Sequence, residues 1–188
     1  VAAAERYYRI MYYGGAESWN LRDTHMFETL GHLLDARGPQ ARAVVWAHNS
    51  HIGDARYTDM GAARGQLNLG QLCRQRWGDQ VALVGFGTHA GTGAAATDWD
   101  DEVGIGRFLL DLRPGVNEQV RSVLMQPRLQ RFIGVIYRPE SERLSHYSET
   151  ILPRQYDAFA WFDQTSAVTP LGDQHPRPEA PDTYPFGL

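Results

Sequence analysis

Short, continuous apolar runs alternate along this sequence with segments whose apolar residues recur at helical spacing. Such runs are typical of strands buried on both faces, and they cover Ala43–Ala47, Val81–Val84, Phe108–Leu112, Phe132–Tyr137 and Phe159–Phe162. The spacing predicts helices over about Ala2–Tyr13, from a capping Ser18 to about Arg37, and over Leu69–Trp77 and Val116–Gln126. This alternation predicts an α/β fold with a mixed or mostly parallel sheet flanked by helices.

The 188 residues, 43% hydrophobic and 21% charged, fit one folded region. We predict the α/β region over residues 1–171 and a proline-rich C-terminal tail over residues 172–188. A net charge of −4 without a basic cluster argues against a nucleic-acid partner. The apolar runs are too short to predict a membrane-spanning segment. The single cysteine, Cys73, leaves no internal disulfide, which favours a cytoplasmic location.

All 18 basic residues are arginine. Without lysine, the chain supplies neither a Schiff-base nucleophile nor the lysine of a phosphate-binding P-loop. Arginine does not act as a proton acceptor near neutral pH. Proton transfer therefore falls to histidines, carboxylates or a tyrosine.

Two histidines, His48 and His51, follow the predicted strand Ala43–Ala47 directly. Ligands of open α/β sheets bind beyond the carboxyl ends of strands, where an imidazole can move protons near neutral pH. Asn49 and Asp54 could orient the imidazoles or donate to an oxyanion. Two other interpretations stay open, namely hydrogen-bonded loop residues and metal ligands, although two histidines are few for a metal site.

A second group of polar residues, Asn20, Arg22 and Asp23, lies near the start of the long predicted helix. Arg22 offers paired donors to a carboxylate, and Asp23 is favoured near the positive end of a helix. The alternative is a capping and salt-bridging role. We predict that Asn20, Arg22, Asp23 and Asn49 bind substrate.

Four further features bear on the type of chemistry. The glycines Gly85, Gly87 and Gly91 follow a predicted strand in a turn that weakly resembles a dinucleotide-binding loop. No G-x-S-x-G nucleophile elbow occurs, and Cys73 lies on the apolar side of its predicted helix, which favours a core position. His146 is an additional candidate for lining a site. Hydrolysis by this chain would therefore use activated water.

Several stretches together resemble the erythromycin esterase family. They are RIMYYGGAESWNLRDTHM (9–26), VVWAHNSHIGDAR (44–56), VALVGFGTHAGT (81–92), RFIGVIYRPESERLSHY (131–147) and LPRQYDAFAWFDQTSAVTPL (152–171). The resemblance is to bacterial members, and it implies hydrolysis of an ester or lactone by histidine-activated water, without a serine nucleophile or a cofactor. It places His48 and His51 in the active-site cleft, and Asn20, Arg22 and Asp23 beside it.

Members of this family are about twice as long, and their N-terminal half carries a G-E-x-x-H-G motif that this sequence lacks. The resemblance therefore implies that the chain corresponds to the C-terminal part of the fold and packs against an N-terminal half or a partner chain. We predict an esterase for a small-molecule substrate, with His48 as proton shuttle and His51 as orienting group, or the reverse. A non-catalytic binding or regulatory module, a metal-dependent hydrolase and a nucleotide-binding enzyme are the alternatives.

Overall fold

A computed structural model describes residues 7–10, 12, 14–91, 105–134 and 139–166. The predicted tail over residues 172–188 lies outside these ranges. Residues 7–10 and 12 are helical and lead to Gly14 and Gly15, both at positive φ. The chain turns here because glycine tolerates this backbone conformation.

The helices of the described part are mostly short, apart from the long α1. They are α1 (Ala16–Arg37), α2 (Asn49–Ile52), α3 (Asp59–Arg64), α4 (Leu69–Trp77), α5 (Glu118–Leu124), α6 (Glu142–Ser145) and α7 (Leu152–Gln155). Single 3-10 turns cover Ala55–Tyr57, Gly78–Gln80 and Pro139–Ser141. Side chains at several N-termini satisfy backbone donors, as Asn68 does at α4 by accepting from the Gln71 N–H.

Five strands form two sheets in the described residues. They are β1 (Val84–Gly91), β2 (Arg107–Asp111), β3 (Arg128–Arg131), β4 (Tyr147–Thr150) and β5 (Ala158–Thr165). The larger sheet has the order β1-β5-β2, with β1 parallel and β2 antiparallel to β5. The predicted mixed sheet flanked by helices is thereby confirmed, and β3 and β4 form a separate antiparallel pair.

The apolar core lies against one face of the three-stranded sheet. Its buried members are Leu83, Leu112, Tyr156 and Phe159. Partly buried side chains from α2, α5, α7 and the strands pack around them, including Ile52, Leu110, Leu124, Leu152 and Trp161. Through Ile52, the short helix α2, which contains His51 and is capped by His48, is thereby attached to the core.

The predicted strand Ala43–Ala47 is wrong in this structure. Residues 41–48 are irregular, and the side chains of Val44 and Trp46 are 95% and 83% exposed. An apolar β-branched run becomes a buried strand only when neighbours cover it. Among the described residues, no strand pairs with this segment.

Other boundaries shift. Ser18 does not cap the long helix, because α1 begins at Ala16 and the Ser18 hydroxyl donates to the Gly15 carbonyl at 2.9 Å. The predicted strand Phe132–Tyr137 is displaced to β3, with residues 132–134 irregular and residues 135–138 outside the described ranges. The strand β4 was not predicted, because its sequence, Tyr-Ser-Glu-Thr, is polar.

The predicted glycine-rich turn is also wrong. Gly85, Gly87 and Gly91 belong to β1 and pair in register with Phe159, Trp161 and Thr165 of β5. A Cβ at Gly85 or Gly87 would lie 2.7 Å from the Phe159 ring. These two glycines therefore allow close packing of aromatic side chains on the strand, which removes the basis for a dinucleotide-binding loop here.

Candidate active site

The candidate site begins at the buried carboxylate of Asp23 on α1. Its side chain is 0% exposed. The Leu69 N–H at the start of α4 donates to Asp23 Oδ2 at 3.0 Å. A buried carboxylate needs such donors, because its desolvation is otherwise costly. The contact also fixes α1 against α4.

His51, on α2, is the second partner of Asp23. Its Nδ1 lies 2.9 Å from both Asp23 carboxylate oxygens. Since an ionised carboxylate only accepts hydrogen bonds, Nδ1 carries the proton and donates it. In the neutral ring, the lone pair is then on Nε2. The His51 side chain is 18% exposed, so solvent reaches part of the ring that carries Nε2.

Arg22 and Trp19 surround the imidazole of His51. The Trp19 ring stacks on it, with centroids 4.7 Å apart and planes at 6°. The Arg22 guanidinium lies 4.7 Å from the Trp19 ring centroid, and its terminal nitrogen donates to His51 Nε2 at 3.5 Å. A cation is thus held next to the nitrogen that would accept a proton. Trp19 was not predicted, although it lies within the same motif as Arg22.

His48 is held differently, as the N-cap of α2. Its Nε2 donates to the Ile133 carbonyl at 2.9 Å, while Nδ1 lies 2.8 Å from the Ser50 hydroxyl and accepts from the Ser50 N–H. Both ring nitrogens therefore have partners. Desolvation lowers the pKa of His48 below 6.5, the Ile133 hydrogen bond opposes this shift, and nearby His51 adds to it. The neutral ring is favoured.

Asn49 attaches the same short helix to the sheet. Its Oδ1 accepts from the Phe86 N–H at 3.1 Å, and its Nδ2 donates to the Phe86 carbonyl. The Asn49 backbone carbonyl accepts from the Tyr156 hydroxyl at 3.4 Å. In this arrangement the side chain positions α2, and its predicted role in substrate binding stays a prediction.

Asn20 likewise bonds to backbone. Its Nδ2 donates to the Gly65 carbonyl at 3.0 Å, and its Oδ1 accepts from the Leu67 N–H at 2.9 Å. The Trp19 indole donates to the Leu67 carbonyl at 2.8 Å. The loop before α4 is thereby fixed to α1, so these contacts support the geometry around Asp23. Substrate binding by Asn20 also stays a prediction.

The predicted residues separate into different environments. Arg22, Asp23 and His51 meet at one place, as described above. His48 and Asn49 line a large cavity of about 1800 Å³ next to the edge of β1. The described residues that line this cavity do not include Arg22, Asp23 or His51. Asp54 instead pairs with Arg56 and caps the following turn.

The remaining candidates have other surroundings. Cys73 is buried, and desolvation raises the pKa of its thiol to about 11, which confirms its assignment to the core. His146 is also buried. Within the described ranges, no three His, Cys, Asp or Glu side chains form a group that could hold a metal ion.

Comparison with known proteins identifies the family of this chain and one solved structure with a similar fold. The erythromycin esterase family profile matches residues 1–106 and 101–165. A crystal structure of a Bacillus cereus protein is similar in fold, with a TM-score of 0.63 and 17% sequence identity. The match covers 81% of this chain and 40% of that protein. The matched region therefore spans less than half of this relative. In the part that the structure describes, no helix combines the length and apolar character needed to cross a membrane.

Proposed function

Because this chain belongs to the erythromycin esterase family, we propose that it hydrolyses carboxylic esters or lactones with water activated by His51. The observation that carries this proposal is the hydrogen bond from His51 Nδ1 to the buried carboxylate of Asp23. A carboxylate in this position orients an imidazole and stabilises its protonated form. Its partner nitrogen, Nε2, is then the base.

In the proposed reaction, Nε2 of His51 removes a proton from water while the water oxygen attacks the ester carbonyl. The tetrahedral intermediate expels the alcohol, which receives the proton back from His51. Asp23 stays ionised throughout. The Arg22 guanidinium, which donates to Nε2 at 3.5 Å, is near enough to shift its donors to the developing oxyanion. One such donor typically contributes about 3 kcal/mol.

This proposal reverses the roles that the sequence favoured for the two histidines. His48 Nδ1 lies 2.8 Å from the Ser50 hydroxyl, whereas the Arg22 nitrogen that faces His51 Nε2 is 3.5 Å away. The proton-accepting nitrogen of His51 is therefore the more weakly occupied of the two. The Nε2 of His48 already donates to the Ile133 carbonyl. These contacts support His48 as the residue that caps α2 and positions His51.

The test is the hydrolysis of p-nitrophenyl acetate and of a macrolide lactone by the product of the whole reading frame that encodes these residues. We expect His51→Gln and Asp23→Asn each to lower kcat/KM by about 10²–10⁴-fold, the range typical of general-base catalysis. His32→Gln, on the exposed side of the same helix as Asp23, is the matched control and should leave it unchanged.

Circular dichroism would establish that each variant is folded. Full activity of folded His51→Gln would contradict the assignment of His51 as the base. A large loss in His48→Gln with little loss in His51→Gln would instead restore the original order of the two roles.

A further inference from the structure

Two glutamine side chains, Gln66 and Gln155, each carry a buried oxygen that is not hydrogen-bonded. Their Oε1 atoms are shielded from solvent and have no partner within the described part of the chain. Gln66 lies in the loop between α3 and α4, and Gln155 is the last residue of α7 and 1% exposed. A buried acceptor without a donor costs free energy, so both oxygens require an explanation.

The surroundings of Gln155 determine which end of its carboxamide is unpaired. The Tyr156 hydroxyl donates its one proton to the Asn49 carbonyl at 3.4 Å. The hydroxyl oxygen can then only accept from Gln155, so the atom 3.0 Å away from it is the amide nitrogen Nε2. The other end of the carboxamide, Oε1, is therefore the acceptor that still needs a donor.

Both glutamines line the same small cavity. Its volume is about 10 Å³, and a single buried water needs roughly 10–15 Å³ on the same measure. Trp19, Leu67 and Phe132 contribute apolar surface to its wall. None of the described residues around this cavity is charged, so its ligand is neutral, because a buried ion requires a counter-charge.

The other polar side chains around the cavity already have partners in the protein. The Ser50 hydroxyl lies 2.8 Å from His48 Nδ1. The Thr58 hydroxyl donates to the Ala55 carbonyl at 2.8 Å, and the Asn68 amide donates to the Ser50 carbonyl at 2.8 Å. The unmet demand at this cavity is therefore for two donors, one for each glutamine oxygen.

We propose that this cavity binds one water molecule, which donates one hydrogen bond to Gln66 Oε1 and the other to Gln155 Oε1. Water is a neutral molecule with two donors, and its size matches the cavity. The bound water joins the end of α7 to the loop before α4, which Asn20 and Trp19 already attach to α1. The proposal does not depend on the proposed catalytic function.

The first experiment is a crystal structure, at a resolution that shows ordered waters, of the product of the whole reading frame that encodes these residues. The wild type is compared with Gln155→Met, which keeps the side-chain length and removes the carboxamide. Gln119→Met, at an exposed position of α5, is the matched control. We expect a fully occupied water about 2.5–3.0 Å from both Oε1 atoms in the wild type and in the control. In Gln155→Met its occupancy should fall below half, because one of the two acceptors is gone.

Thermal unfolding of the same product is an independent measurement. Gln66→Met and Gln155→Met each remove one partner of the same water, so their effects should not add. We expect the loss of Tm in the double variant to be at least about 2 °C smaller than the sum of the two single losses. Gln119→Met combined with Gln155→Met should give an additive loss.

Several outcomes would overturn the proposal. In the wild-type structure, these are a cavity without a water, a water bound to only one glutamine, and a glutamine oxygen that accepts from a protein group instead. A peak with six or more oxygen neighbours at roughly 2.3–2.6 Å would also overturn it, because that coordination indicates a calcium-type cation. Additive losses for Gln66→Met and Gln155→Met would show that the two side chains do not share a ligand. If a variant does not fold, the wild-type structure still decides.

Discussion

At the scale of single residues, the two histidines at one short helix donate hydrogen bonds to acceptors of different charge. His51 donates to an ionised group, Asp23. His48 donates to a neutral carbonyl and accepts at its other nitrogen. Protonation of His48 would replace an acceptor by a second donor directed at Ser50, so the fold favours its neutral form, in agreement with its lowered pKa.

This difference predicts a pH-dependent stability. The pKa of His48 is lower in the folded chain than its ordinary 6.5, so the unfolded chain binds the proton first. The contribution of neutral His48 to the free energy of unfolding is therefore fully present above about pH 6.5. This contribution is lost as the pH falls below that value. Urea unfolding at pH 8 and pH 5.5 should show that His48→Gln reduces this loss, whereas His32→Gln does not. Equal pH dependence of the two variants would contradict the prediction.

At the scale of elements, the site depends on the close approach of α2 and α4. A Cβ at Gly70 would lie 2.2 Å from the Ile52 carbonyl oxygen. Only glycine lets α4 come this near to the end of the helix that carries His51. The same approach brings the Leu69 N–H to Asp23, so this packing sets the geometry of the Asp23–His51 pair.

We therefore predict that Gly70→Ala destabilises the chain by about 1–3 kcal/mol, the usual cost of overpacking. Gly106→Ala is the control, because a Cβ there meets no atom within 4 Å. Thermal unfolding of both variants measures the difference. Equal melting temperatures would show that the backbone at Gly70 relaxes without cost.

The sequence predicted the elements whose burial is decided locally. Leu69–Trp77 was predicted with the bounds that α4 has, because its apolar spacing and the glycine after Trp77 are both local signals. Ala43–Ala47 was predicted as a strand, but its state depends on neighbours elsewhere in the fold. The residues of the site could be proposed from their motifs, whereas the pairing of Asp23 with His51 depends on tertiary packing.

At the scale of the whole molecule, a charged pair connects the helical layer to the sheet. Arg74 on α4 pairs with Asp157, which precedes β5, and also donates to the Val81 carbonyl at 2.8 Å. Asp157 accepts from the Leu83 N–H at 2.6 Å. One carboxylate thus joins α4, the entry to β1 and the entry to β5.

Asp157→Ala should therefore lower the free energy of unfolding by about 1.5–3 kcal/mol, because it removes hydrogen bonds to a charged group in a partly buried setting. Asp35→Ala is the comparison, since the Asp35–Arg76 pair is exposed and 3.7 Å long, and such pairs contribute little. Chemical denaturation measures both. Similar losses in the two variants would contradict a special role for Asp157.

The side chain of Asn49 has a consequence for the aggregation of this chain. An unpaired strand at the margin of a sheet invites strands of other molecules to add on and grow into fibrils. On the side of β1 away from β5, a carboxamide already satisfies the main-chain N–H and C=O of Phe86. A strand from another molecule could not hydrogen-bond to the Phe86 backbone, because the Asn49 side chain already occupies it. A single asparagine therefore blocks continuous strand pairing along the middle of β1.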